Sequence, residues 1–295
     1  MQLLTSNGIT LEVEDHGSPQ GEPLLLIMGL GMQLVAWHED FVAGLVKRGF
    51  RVIRFDNRDV GLSQSFDHLG VPNLALQSVK HLVGLPVPSP YTLRDLADDT
   101  AGLLDALGIA SAHVCGASMG GMVAQQLAAH HPQRVKSLTL MMTSSGSRRL
   151  PGPSLKVRGS LLSRPDDAKN IDSVIAHYVG LYRLIGSPGY PASDAWLTDR
   201  LGRSVRRSHR PQGTARQLVA IAADGDRSAL LHRLRQPTQI IHGAADPLVP
   251  VAAAHDLAAK IDGARLDVID GMGHDLPSAL WPRFAEGITM AASRA

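Results

Sequence analysis

Cysteine is nearly absent from this chain. Cys115 stands alone in 295 residues, so no internal disulfide and no multi-cysteine metal site can form. Aromatic residues make up only 4 %, too few to furnish the stacking platforms of a nucleic-acid surface, and no nucleic-acid-binding motif occurs. No run of 18 apolar residues exists, which excludes a membrane-spanning helix. The opening M-Q-L-L-T-S-N-G-I-T has no basic region leading into an apolar stretch, which argues against a secretory leader. A cytoplasmic location is therefore expected. Charge of one sign is lacking too, since the formal net charge is +2. No cluster of His, Asp and Glu has metal-ligand spacing, so no metal is expected. There is no internal repeat and no low-complexity tract.

The chain does contain enough apolar residues for a large core. Hydrophobic residues make up 44 % and charged ones 19 %, an ordinary balance for a folded chain. At this length about three quarters of the extended-chain surface is buried on folding. Apolar runs at 24–28, 51–55, 112–116, 135–143, 238–242 and 265–269 read as strands. An earlier one, in which Leu11, Val13 and Asp15 alternate with Glu12, Glu14 and His16, reads as a half-exposed strand. Between them lie helical patterns at 92–107, 119–131, 251–261 and about 278–292. The first opens on Thr92 with Asp95 three residues on, a capping pattern, and Gly108 ends it. Strands alternating with helices predict a parallel sheet covered on both faces, an α/β architecture.

Residues 148–235 break this rhythm with six prolines, helical patches and no clear strand. They predict a helical cap inserted into a core made of 1–147 and 236–295. The insertion holds 16 Lys and Arg against 7 Asp, a net of +9, which leaves −7 for the rest. Two readings stand: solvated arginines on cap helices, or a positive lining, within Arg203 to Arg210, that favours an anionic substrate or an acidic surface. The stretch L-A-L-Q-S-V-K-H-L-V-G-L within 64–91 similarly reads as an amphipathic helix at the entrance or as a packed surface helix.

The chemistry concentrates at Gly116-Ala117-Ser118-Met119-Gly120, which falls between a strand pattern and a helix pattern. Strand, tight turn and helix make a nucleophile elbow, in which the serine is strained and small residues must flank it. The helix that begins there aims unpaired N–H groups at any anion forming beside Ser118. A serine hydroxyl needs a general base, and the base needs an orienting acid. Asp246, after the strand at 238–242, and His274, after the strand at 265–269, follow in the expected chain order. All three sit at carboxyl ends of strands, where chemistry gathers in an open parallel sheet. Asp270 and Asp275 read instead as turn and cap residues, and His242 as packed in its strand. The oxyanion donors are expected to be the N–H groups of Met119 and Leu30. Gly29, Trp37 and Met122 are candidates for a pocket wall, with a core role as the alternative for Trp37 and Met122. In Asp56-Asn57-Arg58-Asp59 a buried Arg58–carboxylate pair is expected to brace the loop, and Cys115 to pack beneath the elbow.

These motifs carry a resemblance. G-A-S-M-G-G, D-N-R-D-V-G-L-S, H-G-A-A-D-P and G-M-G-H, in that order, resemble the α/β-hydrolase superfamily over nearly the whole chain. I-M-G-L-G, F-D-N-R-D-x-G-x-S, P-Y-T-L-R-D-L-A-D-D and G-M-G-H-D-L-P are similar to the aclacinomycin methylesterase-like branch of bacterial esterases. The resemblance implies a mostly parallel eight-stranded sheet flanked by helices, and a cofactor-free serine hydrolase with Ser118, Asp246 and His274 as its triad. It implies a small-molecule ester substrate. One departure is Met28-Gly29 where many relatives carry His-Gly, which alters how the Leu30 loop is braced. Amide, lactone or C–C cleavage on the same triad remains open, as does a ligand-binding protein that has lost turnover. The rate should fall on the acid side as the imidazole of His274 takes up a proton.

Overall fold

The computed structural model describes residues 2–295. Eight strands form one sheet: β1 (Gln2–Ser6), β2 (Ile9–His16), β3 (Glu22–Ile27), β4 (Phe50–Phe55), β5 (Ala112–Ala117), β6 (Val135–Met141), β7 (Thr238–Gly243) and β8 (Arg265–Ile269). Their spatial order is β1-β2-β4-β3-β5-β6-β7-β8. β2 pairs antiparallel with both β1 and β4, and every later pairing is parallel. Seven strands therefore point one way, and β2 alone opposes them. Seven of the eight were legible, six as apolar runs and β2 by alternation. β1 was not, because this edge strand is mostly exposed and carries little periodicity.

The helices are α1 (Glu39–Val46), α2 (Leu74–Leu82), α3 (Leu93–Ala106), α4 (Met119–His130), α5 (Leu155–Leu162), α6 (Ile171–Ile185), α7 (Asp194–Arg207), α8 (Pro211–Asp224), α9 (Ser228–Leu231), α10 (Ala252–Lys260) and α11 (Trp281–Ala292). The strands sort their side chains between two layers by the period of two that a pleated strand imposes. Leu25, Ile27, Ile53 and Val114 pack with α3, α4 and α10 on one face. Leu24, Leu26, Val52 and Cys115 pack with α1 and α11 on the other. Both faces are covered, which is why the central strands read as continuous apolar runs rather than alternating ones. α3 starts at the foreseen cap: the Asp95 N–H donates to Thr92 Oγ1 at 3.1 Å and the Thr92 N–H to Asp95 Oδ2 at 2.7 Å.

The alternation read in β2 is broken at two positions. Asp15 is exposed and pairs with Arg51 at 2.7 Å. Glu12 is buried, with Arg207 from α7 reaching to 3.9 Å of it. The inserted stretch between β6 and β7 covers that face, so a simple alternation fails there.

That stretch carries five helices, α5 to α9, and no strand. Part of its positive charge holds it to the core. Arg207 reaches Asp56 at 2.6 Å, and Arg210 donates to the Ser63 carbonyl at 2.6 Å. Arg216, wholly buried, clasps both oxygens of Asp59 at 2.8 Å and Asp67 at 2.7 Å. Arg203 pairs with Asp199 on its own helix. The solvated-arginine reading holds for Arg203 and Arg206, which are exposed and pair within the insertion. Arg207 and Arg210 instead fasten the insertion to the core.

Candidate active site

Ser118 ends β5 and caps α4 with φ of 55° and ψ of −120°, a left-handed conformation that a side-chain-bearing residue occupies only under constraint. The constraint comes from close backbone approach. A Cβ on Gly116 would lie 2.3 Å from the Gly120 carbonyl oxygen, and one on Gly120 2.1 Å from that of Ile27. Only glycine fits at either place. Thr143, after β6, closes the turn from the other side, its hydroxyl donating to the Ser118 carbonyl at 2.7 Å.

Three side chains far apart in sequence meet at the carboxyl edge of the sheet. His274 Nε2 lies 3.0 Å from Ser118 Oγ, and His274 Nδ1 lies 2.7 Å from Asp246 Oδ2. A carboxylate only accepts, so the Nδ1 of a neutral ring carries the hydrogen and Nε2 is left as the acceptor facing the hydroxyl. Asp246 is itself fixed, because Oδ1 accepts the N–H groups of Leu248 at 2.9 Å and Val249 at 2.8 Å. His242 lies fully buried in β7, as its place in a strand suggested, and its Nε2 is 2.7 Å from the Val249 carbonyl. Burial pushes the basicity of His242 down, so the ring stays neutral although Asp246 is 3.6 Å away.

The loop after β3 lies against the serine. A Cβ on Gly29 would lie 3.1 Å from the Cβ of Ser118 and 3.7 Å from its Oγ. The loop is braced on both sides of Leu30. Asn57 donates to the Met28 carbonyl at 3.0 Å, the Gly31 N–H donates to Gln217 Oε1 at 2.9 Å, and the Leu34 N–H donates to Asp56 Oδ1 at 2.7 Å. The N–H groups of Leu30 and Met119 donate to no protein acceptor among the described residues. The motif at 56–59 thus splits into three duties: Asp56 and Asn57 hold this loop, Asp59 grips Arg216, and Arg58 pairs with Asp99 at 2.6 Å as expected. Burial raises the carboxyl of Asp56 above its usual range, against the pull of Arg207 and of the Leu34 and Leu62 N–H groups.

Trp37 is corrected. Its ring is fully buried in the layer with α1 and stacks 5.9 Å from Phe41, so it is core rather than a wall beside Ser118. Met122, one turn into α4, is also buried and packs with the other layer. Cys115 is wholly buried below the elbow, and burial pushes its thiol far up, so it is not a nucleophile.

Asp275 does more than end a turn. The Ser187 hydroxyl donates to Asp275 and accepts the Gly273 N–H at 2.9 Å, while the His274 N–H donates to the Ile185 carbonyl at 2.7 Å. The Gly189 N–H donates to the Gly271 carbonyl at 2.9 Å. Segment 185–189, just past α6, therefore clasps the loop that carries His274. Burial raises the Asp275 carboxyl, opposed by its bonds to Ser187. Gln217 and Ser187, both from the insertion, were not foreseen. They sit in no motif, and contacts between residues about 90 to 190 positions apart leave no periodic trace.

Among the described residues no group of three His, Cys, Asp or Glu could hold a metal ion, and no helix is long and apolar enough to cross a membrane.

Comparison with known proteins agrees with this geometry. The family model for the alpha/beta hydrolase fold matches residues 22–277. Rhodomycin D methylesterase DauP of Streptomyces sp. (strain C5) is 29 % identical over 97 % of this chain and 96 % of its own length. A poly(3-hydroxyalkanoate) depolymerase of Ectopseudomonas oleovorans is 31 % identical over 88 % of this chain and 80 % of its own. A hydrolase of Pseudomonas aeruginosa PA01 superposes with a TM-score of 0.71 at 29 % identity, covering 100 % of this chain and 98 % of the other. The meta-cleavage product hydrolase CumD of Pseudomonas fluorescens IP01 reaches a TM-score of 0.77 at 21 % identity over 100 % and 98 %, a likeness of fold. With its family model matched across most of its length, this chain belongs to the alpha/beta-hydrolase fold family, as a hydrolase related to the bacterial serine esterases.

Proposed function

We propose that this chain hydrolyses a carboxylic ester, with a methyl ester as the first candidate, through an acyl-enzyme on Ser118. The observation that carries the reading is the hydrogen-bonded relay from Ser118 Oγ through His274 to Asp246, at 3.0 and 2.7 Å. In the first half-reaction His274 Nε2 takes the Ser118 proton as Oγ attacks the ester carbonyl. The N–H groups of Met119 and Leu30 stabilise the tetrahedral oxyanion. Collapse breaks the bond to the alkoxy oxygen, which leaves as an alcohol with the proton held by His274. Water then attacks the acyl-enzyme by the same route, giving the acid and the free serine. Gly29 contributes a surface without a side chain, so the carbonyl can lie between Ser118 and the Leu30 loop.

The full-length similarity to DauP, a rhodomycin D methylesterase, supports a methyl ester as the bond cleaved. The separation into a core of 1–147 and 236–295 and a cap of 148–235 belongs to the same reading, with Ser187 and Gln217 as cap residues that hold the catalytic loops. A cytoplasmic site of action fits the lone buried thiol. The test is a panel of methyl, aryl and thioesters, lactones, amides and vinylogous diketones against the purified chain and Ser118→Ala. Ester turnover lost in Ser118→Ala is the expected result. Turnover of only the diketones, or turnover retained without Ser118, would overturn the reading.

A further inference from the structure

Exposed large apolar side chains concentrate in two segments of this molecule. Among the described residues thirteen are exposed, and nine of them fall in residues 69–85 and 155–162, which are 25 positions of 295. Leu82 is 72 % and Leu155 86 % exposed, and no residue of α2 is buried. Scattered apolar residues need no explanation, but a contiguous apolar face does.

The two segments are tied to each other. Arg148 donates through Nη2 to the carbonyl of His81 at 3.1 Å and to that of Leu82 at 3.4 Å, tying the chain ahead of α5 to the end of α2. Both segments leave the carboxyl edge of the sheet, one after β4 and the other after β6, and these strands flank β3 and β5. The face therefore borders the edge where Ser118 lies.

Its charge is of one sign. Residues 68–91 and 142–165 contain no Asp or Glu, and they carry Lys80, Arg148, Arg149, Lys156, Arg158 and Arg164. This contrasts with α7 and α8, where Arg203, Arg207 and Arg216 are all matched by carboxylates. Apolar side chains interleaved with unmatched cations suit a surface that is anionic outside and apolar just beneath. A second copy of the chain would bring the same cations against themselves. An acidic protein would match the cations yet leave Leu82 and Leu155 without a purpose.

We infer that this face docks on an anionic lipid bilayer, so that the ester reaching Ser118 is one that partitions into lipid. The second half rests on the esterase reading above; the docking does not. Each cation brought to an anionic leaflet strengthens partitioning about fivefold. Each leucine moved from water into the acyl boundary adds about tenfold or more.

The test sediments Ser118→Ala with vesicles of phosphatidylglycerol and, separately, of phosphatidylcholine. Binding to the anionic vesicles alone is expected, weakened about 25-fold by Lys156→Ala with Arg158→Ala and at least tenfold by either Leu82→Ser or Leu155→Ser. Four exposed positions are changed, so folding is not at risk, and circular dichroism verifies it. With Ser118 restored, the same variants should keep their rate on a soluble aryl ester and lose rate on a long-chain ester held in vesicles. No binding to anionic vesicles overturns the inference. So does binding that ignores the leucine changes, which is the behaviour of a face for an acidic protein, and so does a dimer in solution that Leu82→Ser dissociates. If the parent fails on every soluble ester, the esterase reading falls while the sedimentation result keeps its meaning.

Discussion

Removing one oxygen atom at Ser187 should slow this enzyme while leaving its substrate affinity nearly intact. Ser187 is buried, and its hydroxyl grips both neighbours of His274: it accepts from the Gly273 N–H at 2.9 Å and donates to the Asp275 carboxylate. In Ser187→Ala the buried Gly273 N–H loses its partner, at about 1–3 kcal/mol, and Asp275 loses a bond worth roughly 1.5–3 kcal/mol. Two backbone bonds survive, from His274 to Ile185 and from Gly189 to Gly271, so the loop stays in place but looser. A misplacement of about 1 Å at a reacting group costs roughly a hundredfold in rate. We expect kcat on an aryl ester to fall about 10- to 100-fold with KM changed less than about threefold. The melting temperature should drop by about 5–24 °C, given roughly 2–4 °C per kcal/mol at this chain size. A variant that melts earlier yet turns over at the parental kcat would refute the reasoning, because the bonds would then fasten the insertion without positioning His274.

Other outcomes follow from the same contacts. Arg216→Met strips the buried Asp59 of its partner and should cost about 3–5 kcal/mol in urea unfolding, with much of the loss recovered in Arg216→Met combined with Asp59→Asn. Gly120→Ala would place a methyl 2.1 Å from the Ile27 carbonyl oxygen, and should yield insoluble protein or one destabilised by more than about 4 kcal/mol. Acidification should destabilise the fold through His242 and His113, whose basicity burial holds below the ordinary 6.5. Below that pH the unfolded chain binds protons that the native rings refuse, so stability falls as pH falls, by up to about 1.4 kcal/mol per unit for each ring. Unfolding measured from pH 7.5 to 5 should show that slope, and His113→Gln should flatten it.

The parts of this molecule legible from sequence are those whose physics is local. Ser118 announces itself because strand, elbow and helix follow one another within 20 residues and the glycines around it have no alternative. Asp246 and His274 were found because each follows a strand at the sheet's carboxyl edge. The Thr92–Asp95 cap was equally local; a pairing of Arg58 was expected, but its partner Asp99 lies 41 positions away. Arg207 and Arg216 were harder. Their partners, Asp56 and Asp59, stand about 150 residues away, so a positive insertion could be counted but not assigned. Ser187 and Gln217 brace the loops of His274 and Leu30 across similar separations. Glu12 alternates with apolar neighbours, yet the insertion covers it. Trp37 was read as pocket wall or as core, because its place in the chain does not say which layer holds the ring.

The most direct test labels the intact chain with a fluorophosphonate and locates the adduct by peptide mass spectrometry. The reagent should modify Ser118 alone and quench ester turnover in step with labelling, and His274→Ala should slow labelling by about a thousandfold or more. An adduct on another residue, or labelling as fast without the imidazole as with it, would contradict the claim that His274 activates Ser118.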